Sequence, residues 1–164
     1  MSKDSVTMTA AESDRLDFIG EHRKSYIESG GTEGHILDLT DIGGRRFTTH
    51  LLLETKGRKT GAKRLTPLIY ADIGGEVVIV ASKGGADVHP AWYLNLAESK
   101  DCRFQIGTQA FSGTWRSPEG AERDAVWAFM EGIYPPYTAY KKGTARDIPL
   151  VMMTAIDPID VFKE

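Results

Sequence analysis

Two consecutive glycines, Gly74 and Gly75, separate two runs rich in apolar and β-branched residues, at 64–73 and 76–82. The favoured two-residue hairpin turns require positive φ angles, which glycine adopts without steric cost. The pattern therefore predicts an antiparallel hairpin. Pro67 lies within the first run, and because proline cannot donate a hydrogen bond to a strand ladder, it predicts a sheet edge or a bulge at that point.

Hydrophobic periodicity and turn residues predict the other elements. Thr9 and Glu12 have the spacing of a capping box, which indicates an N-terminal helix that the Gly30-Gly31 pair would end. Pro135-Pro136 is expected to close the helix that Pro118 opens. The remaining predicted segments are strands at 48–55, 102–106, 110–116 and 148–154, and helices that open at Pro90 and Pro118. This order predicts an α+β fold built on a small β-barrel or curled sheet.

The size and charge of the chain limit what it binds. Its 164 residues fit a single domain, in which we expect residues 1–47 to form the N-terminal helix and a variable segment and residues 48–164 to form the barrel. A net charge of −3 provides no bulk positive field for nucleic acid. Cys102 is the only cysteine, which excludes an internal disulfide and indicates a reducing compartment such as the cytoplasm.

The N-terminal helix has two interpretations. Leu16, Ile19, Tyr26 and Ile27 follow a helical period, so the helix presents an apolar face. Packing of this face on its own domain is the favoured interpretation, and peripheral membrane contact is the alternative. No run of 18 uninterrupted apolar residues occurs, so a membrane-spanning helix is not predicted.

The segment from Lys56 to Arg64 carries five cations and no acid within a chain of negative net charge. Arg58 and Arg64 can donate paired hydrogen bonds, and Gly57 and Gly61 let the backbone approach a ligand closely. This composition predicts a site for an anionic ligand. The alternative is a solvated hairpin tip whose charges only keep a sheet edge soluble.

Three further groups are candidate ligand contacts. Ser82, Lys83 and Gly84 follow the most apolar strand and lack the GxxxxGK[ST] and GxGxxG patterns, so they predict either a cradle for a ring or phosphate, or an ordinary turn. Trp92 and Asn95 share a face of the short helix, as an aromatic platform with an amide or as part of the core. Tyr134, Tyr137 and Tyr140 recur every third residue and form either an aromatic wall for a flat ligand or core packing.

Other kinds of active site are not supported. His22, His35, His50 and His89 lie far apart in the sequence and form no HExxH pattern, so no metal site is predicted. No GxSxG motif is present, and Cys102 has no local sign of activation. These side chains point to a bound cofactor that supplies the chemistry, with the protein supplying position and charge.

Five segments together resemble one known family. They are LLLETKGRKTG at 51–61, TPL at 66–68, ASKGGA at 81–86, HPAWYLNL at 89–96 and YPPYTAY at 134–140. The chain is similar to the deazaflavin (F420)-dependent nitroreductase family over residues 48 to 154. The resemblance implies a split β-barrel like that of FMN-binding oxidoreductases, surrounded by the N-terminal helix and a few short helices. It also implies the use of coenzyme F420, a deazaflavin with a phosphate and an acidic polyglutamate tail.

The resemblance also assigns roles to residues. Arg58, Lys59 and Arg64 would hold the phosphate and tail, and Ser82, Lys83 and Gly84 would line the deazaflavin. The implied cofactor contacts are Lys56, Arg58, Lys59, Arg64, Pro67, Ser82, Lys83, Gly84, Trp92 and Asn95. The implied catalytic groups, which face the substrate, are Ser82, Tyr134, Tyr137 and Tyr140. At position 56 a threonine is common in the family, so Lys56 adds a cation to the pattern.

The resulting hypothesis is an oxidoreductase that transfers a hydride from reduced F420 to a small, electron-poor acceptor. Quinones, activated enones or lactones, and nitro-aromatics are the acceptor classes. Ser82 or a tyrosine hydroxyl would meet the negative charge that develops on the acceptor oxygen. The alternatives are an FMN-dependent oxidoreductase on the same barrel and a non-catalytic F420 carrier or sensor.

Overall fold

The computed structural model describes the backbone of residues 10–164 and the side chains from Asp17 onward, so the predicted Thr9–Glu12 capping box lies outside the described residues. Within this part of the chain the helices are α1 (Ala10–Glu28), α2 (Ala91–Leu96), α3 (Gly120–Ile133) and α4 (Pro136–Lys142). The strands are β1 (Ile36–Leu37), β2 (Thr48–Lys56), β3 (Lys63–Ile73), β4 (Glu76–Val80), β5 (Asp101–Ile106), β6 (Gln109–Arg116) and β7 (Leu150–Ile159). Short 3₁₀ turns lie at Thr40–Ile42 and Lys83–Gly85.

Six strands close into a barrel. The antiparallel order is β2-β3-β4-β7-β6-β5, and β5 pairs back onto β2 from Leu51↔Ile106 to Glu54↔Arg103. In β4, Val77 and Ile79 pack in a cluster with side chains of the other strands, whereas Val78 and Val80 face α3 and α4. Both faces of this strand are buried, which explains its continuous apolar run. The α+β barrel predicted from the sequence is confirmed.

The barrel wall is open beside the first half of β3. β3 pairs with β4 only from Tyr70 to Ile73, so its residues 63–69 have a strand neighbour, β2, on one side. Pro67 lies in this half, opposite Leu52, where its missing N–H breaks no ladder bond. The predicted sheet edge at Pro67 is therefore confirmed. α1 reaches the same strand, and the Arg23 Nε donates a hydrogen bond to the Leu65 carbonyl at 2.8 Å.

The predicted hairpin is also confirmed. Gly74 and Gly75 have φ angles of 60° and 92°, and the Gly75 N–H donates to the Asp72 Oδ1 at 3.0 Å. The starts of two helices differ slightly from the predicted positions. Pro90 precedes the first helical residue of α2, and α3 begins two residues after Pro118.

One prediction about the C-terminal third is confirmed, and the predicted end of the last strand is wrong. The helix predicted to open at Pro118 is closed at the diproline, since α3 ends at Ile133, and Pro136 then opens α4, which was not predicted, at a position where an N–H would have no partner. β7 continues five residues past Thr154, because β6 pairs with it as far as Ile159. The end of β7 has no pairing with β4, so Pro158 is tolerated there.

Gly113 offers a direct test of the barrel. It lies at the irregularity where β6 pairs with β7, and a Cβ atom there would lie 1.9 Å from the Thr154 carbonyl oxygen. We expect Gly113→Ala to lower the free energy of unfolding by about 2–3 kcal/mol, because the clash is with backbone. The melting temperature should then fall by roughly 4–12 °C.

Gly132→Ala is the matched control for this prediction. Gly132 lies in α3 with no heavy atom within 4 Å of an added Cβ. Alanine there should stabilise the chain by about 0.5–1 kcal/mol, since glycine weakens a helix interior. If Gly113→Ala melts within a degree of the wild-type chain, the close approach of β6 and β7 is wrong.

Candidate active site

A cavity of about 650 Å³ lies beside the open half of β3, and we call it the aromatic cavity. Its walls come from α1, β2, β3, the end of β4, the 3₁₀ turn after it, α2 and α4. The predicted site residues that line it are Pro67, Ser82, Lys83, Gly84, Trp92, Tyr134, Tyr137 and Tyr140. The fold thus brings four separate sequence segments together around one space.

A second cavity, of about 310 Å³, is lined by cations, and we call it the cationic cavity. Arg58, Lys59, Arg64 and Asn95 line it, as does Trp92, which also lines the aromatic cavity. Two neighbouring residues of β3 also line the two cavities: Pro67 lines the aromatic cavity and Thr66 lines the cationic cavity. Trp92 is therefore a common wall between an aromatic space and a positively charged one.

The loop that carries the cations is held in place at one point. The Asn95 Oδ1 accepts hydrogen bonds from the Arg58 backbone N–H at 3.1 Å and from its Nη1 at 3.0 Å. The loop closes on itself through the Gly57 N–H and the Ala62 carbonyl at 2.8 Å. The Asn95 Oδ1 therefore positions the cationic loop, a role that neither interpretation of its helix face included, and a ligand contact of its amide stays a prediction.

The cations of this cavity are not neutralised by acids within the described part of the chain. The ion pairs found there are Arg23–Glu164, Arg103–Glu54, Arg116–Glu76 and Arg116–Glu122, and none of them includes Arg58, Lys59 or Arg64. The Thr55 hydroxyl, which is buried at the same cavity, makes no hydrogen bond to described residues. Cations without acidic partners, together with a buried hydroxyl that has no hydrogen bond to described residues, fit an anionic ligand.

The glycine-rich turn after β4 has an unusual backbone. Lys83 has a φ of 47° and Gly84 a φ of 63°, and Lys83 is the single non-glycine residue with positive φ among the described residues. Gly85 packs on α4, since an added Cβ would lie 3.0 Å from the Tyr140 Cα. The glycine-rich turn and α4, which carries Tyr137 and Tyr140, therefore pack against each other at the wall of the aromatic cavity.

The three tyrosines form a cluster of ring contacts. The Tyr134 and Tyr137 ring centroids lie 5.0 Å apart, and Tyr140 lies 6.5 and 6.1 Å from them. Tyr134 and Tyr137 are buried, and Tyr140 is half-buried. Burial raises the pKa of Tyr137, so its phenol stays protonated at neutral pH. The rings pack in the core and line the aromatic cavity at once.

His22 and His50 also line the aromatic cavity, although the sequence analysis assigned them no function. Their ring centroids lie 4.8 Å apart in an edge-on contact. Burial and the neighbouring His22 lower the pKa of His50 to about 3, and burial lowers the pKa of His22. His22 lies three residues after Ile19 and four before Tyr26, so the apolar face of the helix was the signal that could have placed it.

Arg146 is the second contributor that the sequence analysis missed. Its guanidinium donates to the carbonyl oxygens of Ala81, Ser82 and Ala86 and to the His89 Nδ1, at 2.7–3.3 Å. These four acceptors span the turn that carries Ser82, Lys83 and Gly84. Arg146 therefore fixes the glycine-rich turn from behind the cavity wall. Nothing in its polar sequence surroundings indicates this role.

The family model of the F420H(2)-dependent quinone reductases matches residues 19–155 of this chain. The chain belongs to this family. An F420H(2)-dependent quinone reductase of Mycobacterium tuberculosis (strain H37Rv) is 38% identical over 107 residues, which cover 63% of this chain and 72% of that protein.

Two solved structures have a similar fold. An F420-H2-dependent reductase (FDR-A) superposes with a TM-score of 0.58 at 37% identity, over 63% of this chain and 92% of that one. A structure described as a domain-swapped dimer has a TM-score of 0.61 at 34% identity, over 85% of this chain and 98% of that one.

Family membership confirms several of the sequence predictions. The chain is an F420-dependent oxidoreductase of the split β-barrel type, and reduced F420 is its cofactor. These findings favour the F420 enzyme over the FMN-dependent and carrier alternatives. No helix within residues 10–164 is long and apolar enough to cross a membrane. Peripheral membrane contact through α1 stays a prediction.

Lys56 is the one predicted site residue that lines neither cavity. It lies exposed at the end of β2, opposite Lys63. The described histidines, cysteine and acids form no group of three that would suit a metal ion. The roles of the individual cofactor and catalytic residues stay predictions.

This quinone reductase should lose stability in mild acid, because its His22–His50 pair is buried. The free histidine pKa is near 6.5 and that of folded His50 is about 3, so the unfolded chain binds more protons between these values. The free energy of unfolding should therefore fall as the pH drops below 6.5, by about 2 kcal/mol between pH 7.5 and pH 5. Urea unfolding at these two pH values measures the change.

His50→Gln is the comparison that assigns this pH effect. Glutamine does not titrate, so its stability should change less over the same interval. An equal loss in the wild-type and His50→Gln chains would contradict the assignment to His50.

Proposed function

We propose that this chain reduces quinones with F420H2, and that the two adjoining cavities divide the work. The cationic cavity holds the phosphate and acidic tail of the cofactor, and the aromatic cavity holds its ring together with the acceptor. The observation that carries this proposal is Trp92, which joins a cation-lined space without acidic partners to an aromatic space.

The residues of the cationic cavity fit the cofactor's charge. Arg58, Lys59 and Arg64 line it, and none of them is paired with an acid among the described residues. Guanidinium groups bond phosphate and carboxylate oxygens in a paired geometry. The unpartnered Thr55 hydroxyl offers a further donor. Lys56 would contribute only a longer-range attraction, since it lies outside the cavity.

The aromatic cavity fits a flat ring beside a second flat molecule. Its volume of about 650 Å³ lies in the range of small-molecule sites, which is roughly 300–1,000 Å³. Pro67, Trp92 and the tyrosine cluster supply apolar walls, and Lys83 and Gly84, which have positive φ angles, line the same cavity. Such walls exclude water and hold two rings face to face.

When bound, reduced F420 supplies a hydride. The residues of the chain stabilise the charge that develops on the acceptor. Ser82 lines the cavity, and Arg146 donates a hydrogen bond to its carbonyl oxygen. Tyr137 stays protonated because burial raises the pKa of its phenol, so it can donate a hydrogen bond but does not act as a base. Activated enones, lactones and nitro-aromatics are further electron-poor acceptors for the same arrangement.

Two measurements on the purified chain test this function. Titration with F420 and, separately, with FMN should show binding of F420 at micromolar concentrations or below, and weaker binding of FMN. With F420H2 that a dehydrogenase has prepared and from which the dehydrogenase has been removed, addition of the quinone menadione should oxidise F420H2, seen as a return of the F420 absorbance. Tight F420 binding with no quinone reduced would contradict the proposed acceptor class, and preference for FMN would contradict the assignment of the cavities.

A further inference from the structure

The aromatic cavity lies where strands β3 and β4 separate. The ladder between them ends at Tyr70↔Ile79. The next residue of β4, Val80, pairs with β7 and has no partner in β3. Residues 67–69 of β3 and Val80 of β4 line the aromatic cavity. The first half of β3 therefore presents an unpaired backbone edge beside this cavity.

The register of β3 decides which backbone groups lie on that edge. The two-residue turn at 74–75 makes Ile73↔Glu76 a hydrogen-bonded pair, and bonding to one side recurs at every second residue of an antiparallel strand. The backbone N–H and C=O groups of Ile73 and Ala71 therefore point to β4. By the same alternation, those of Ile69 and Pro67 point to that side too, where β3 has no strand neighbour.

A hydrogen bond from α1 supports this alternation. The Arg23 Nε donates to the carbonyl oxygen of Leu65, which lies two residues before Pro67 on the same side of β3. Proline has no N–H, so the edge beside the cavity offers the Pro67 C=O and then the Ile69 N–H. Neither group has a hydrogen bond to a described residue outside the strand ladders. The edge thus presents one acceptor and one donor at the cavity wall.

The chemistry of this pair indicates the kind of ligand. A strand edge binds a partner through main-chain hydrogen bonds, and a flat ring can take the partner's place if it carries a donor and an acceptor side by side in its plane. An imide, with an N–H between two carbonyl groups, meets this condition. The deazaflavin ring has an imide at one end, whereas a quinone ring carries acceptors only. The pair therefore matches the cofactor ring better than the acceptor.

We propose that the Pro67 C=O and the Ile69 N–H form a subsite that binds the imide edge of the cofactor ring. The inference rests on the proposed function. The imide N–H donates to the Pro67 carbonyl oxygen, and an imide carbonyl accepts from the Ile69 N–H. Because these bonds lie in the plane of the ring, both ring faces stay free, one for the acceptor and one for an apolar wall. Proline at position 67 also hinders the addition of another strand at this edge.

Nuclear magnetic resonance on the wild-type chain tests the subsite without a substitution. With ¹⁵N-labelled F420 and ¹³C,¹⁵N-labelled protein, we expect a scalar coupling across the hydrogen bond between the imide nitrogen and the Pro67 carbonyl carbon. The Ile69 amide proton should move downfield as F420 binds. The Ala71 amide, which bonds β4 on the same side of β3, is the internal control and should move much less.

Binding measurements test each bond separately. F420 methylated at the imide nitrogen cannot donate to Pro67, and should bind the wild-type chain about 10-fold more weakly or worse. Ile69→Pro removes the edge N–H but no bond of the β2–β3 ladder, and should weaken F420 binding about 10-fold. Ile69→Val keeps the N–H and a β-branched side chain, and should retain most of the affinity. Fluorescence titration gives the dissociation constants.

The outcomes separate the subsite from the proposed function. Absence of the coupling at saturating F420, or binding of the methylated F420 within twofold of F420, would overturn the subsite. A larger shift of the Ile69 amide with menadione alone than with F420 would place the acceptor at this edge and would also overturn it. Failure of the wild-type chain to bind F420, or to reduce any quinone, would instead overturn the proposed function. The spectra and the methylated cofactor keep the test decisive even if Ile69→Pro does not fold.

Discussion

Replacement of both Arg58 and Lys59 by alanine is expected to weaken F420 binding about 100-fold. Both residues line the cationic cavity and lack acidic partners within the described chain, so their full charge is available to a bound anion. A hydrogen bond to a charged group contributes about 1.5–3 kcal/mol, and the loss of two such contacts corresponds to about two orders of magnitude in Kd. Fluorescence titration with F420 measures the change.

Salt and a charge-matched control separate local contacts from general attraction. The difference between the wild-type chain and the double variant should shrink at high salt, because screening weakens the exposed part of the wild-type advantage. Lys24→Ala with Lys142→Ala removes two exposed cations that line neither cavity, and should leave the affinity within about twofold. Equal weakening in the two double variants would contradict a local anion site at the cationic loop.

The parts of the fold that the sequence predicts are those in which a local pattern decides the outcome. Gly74-Gly75 predicts its hairpin because the turn itself needs positive φ angles, and Pro67 predicts a strand edge because proline lacks an N–H. The end of β7 is decided by pairing with β6, which no local pattern of residues 155–159 indicates. Long-range pairing overrides local preference there.

The residues of the candidate site divide in the same way, into those that a local pattern predicts and those that long-range contacts bring together. The cationic loop, the glycine-rich turn and the tyrosines are recognisable because each lies within one short segment of the chain. The His22–His50 contact joins a helix to a strand. Arg146, which follows α4 in the sequence, donates hydrogen bonds to the loop at 81–89. Such pairs become visible only once the barrel closes, because neither partner has a sequence neighbour that shares its role.

Arg146→Ala is expected to lower kcat/KM for quinone reduction by about 100-fold. The variant removes the donors to the Ala81, Ser82 and Ala86 carbonyls, which leaves the glycine-rich turn without its support. Small displacements of positioning groups are costly, and a misplacement of about 1 Å can lower a rate about 100-fold. The loss should appear mainly in kcat, since Ser82 and the cofactor ring would be misaligned, while the cations that hold the acidic tail are untouched.

Arg146→Lys and thermal melting distinguish positioning from a loss of stability. Lysine keeps the charge but lacks the planar fork that reaches several carbonyls, so it should recover only a small part of the rate. Addition of free guanidinium at millimolar concentrations should restore more activity to Arg146→Ala than to Arg146→Lys, because the alanine variant leaves space for it. The F420 affinity of Arg146→Ala should stay within about threefold of the wild type, and its melting temperature should lie well above the assay temperature. A fall in F420 affinity as large as the fall in kcat would show that the turn and the cationic loop act as one binding site, with no separate positioning role for Arg146.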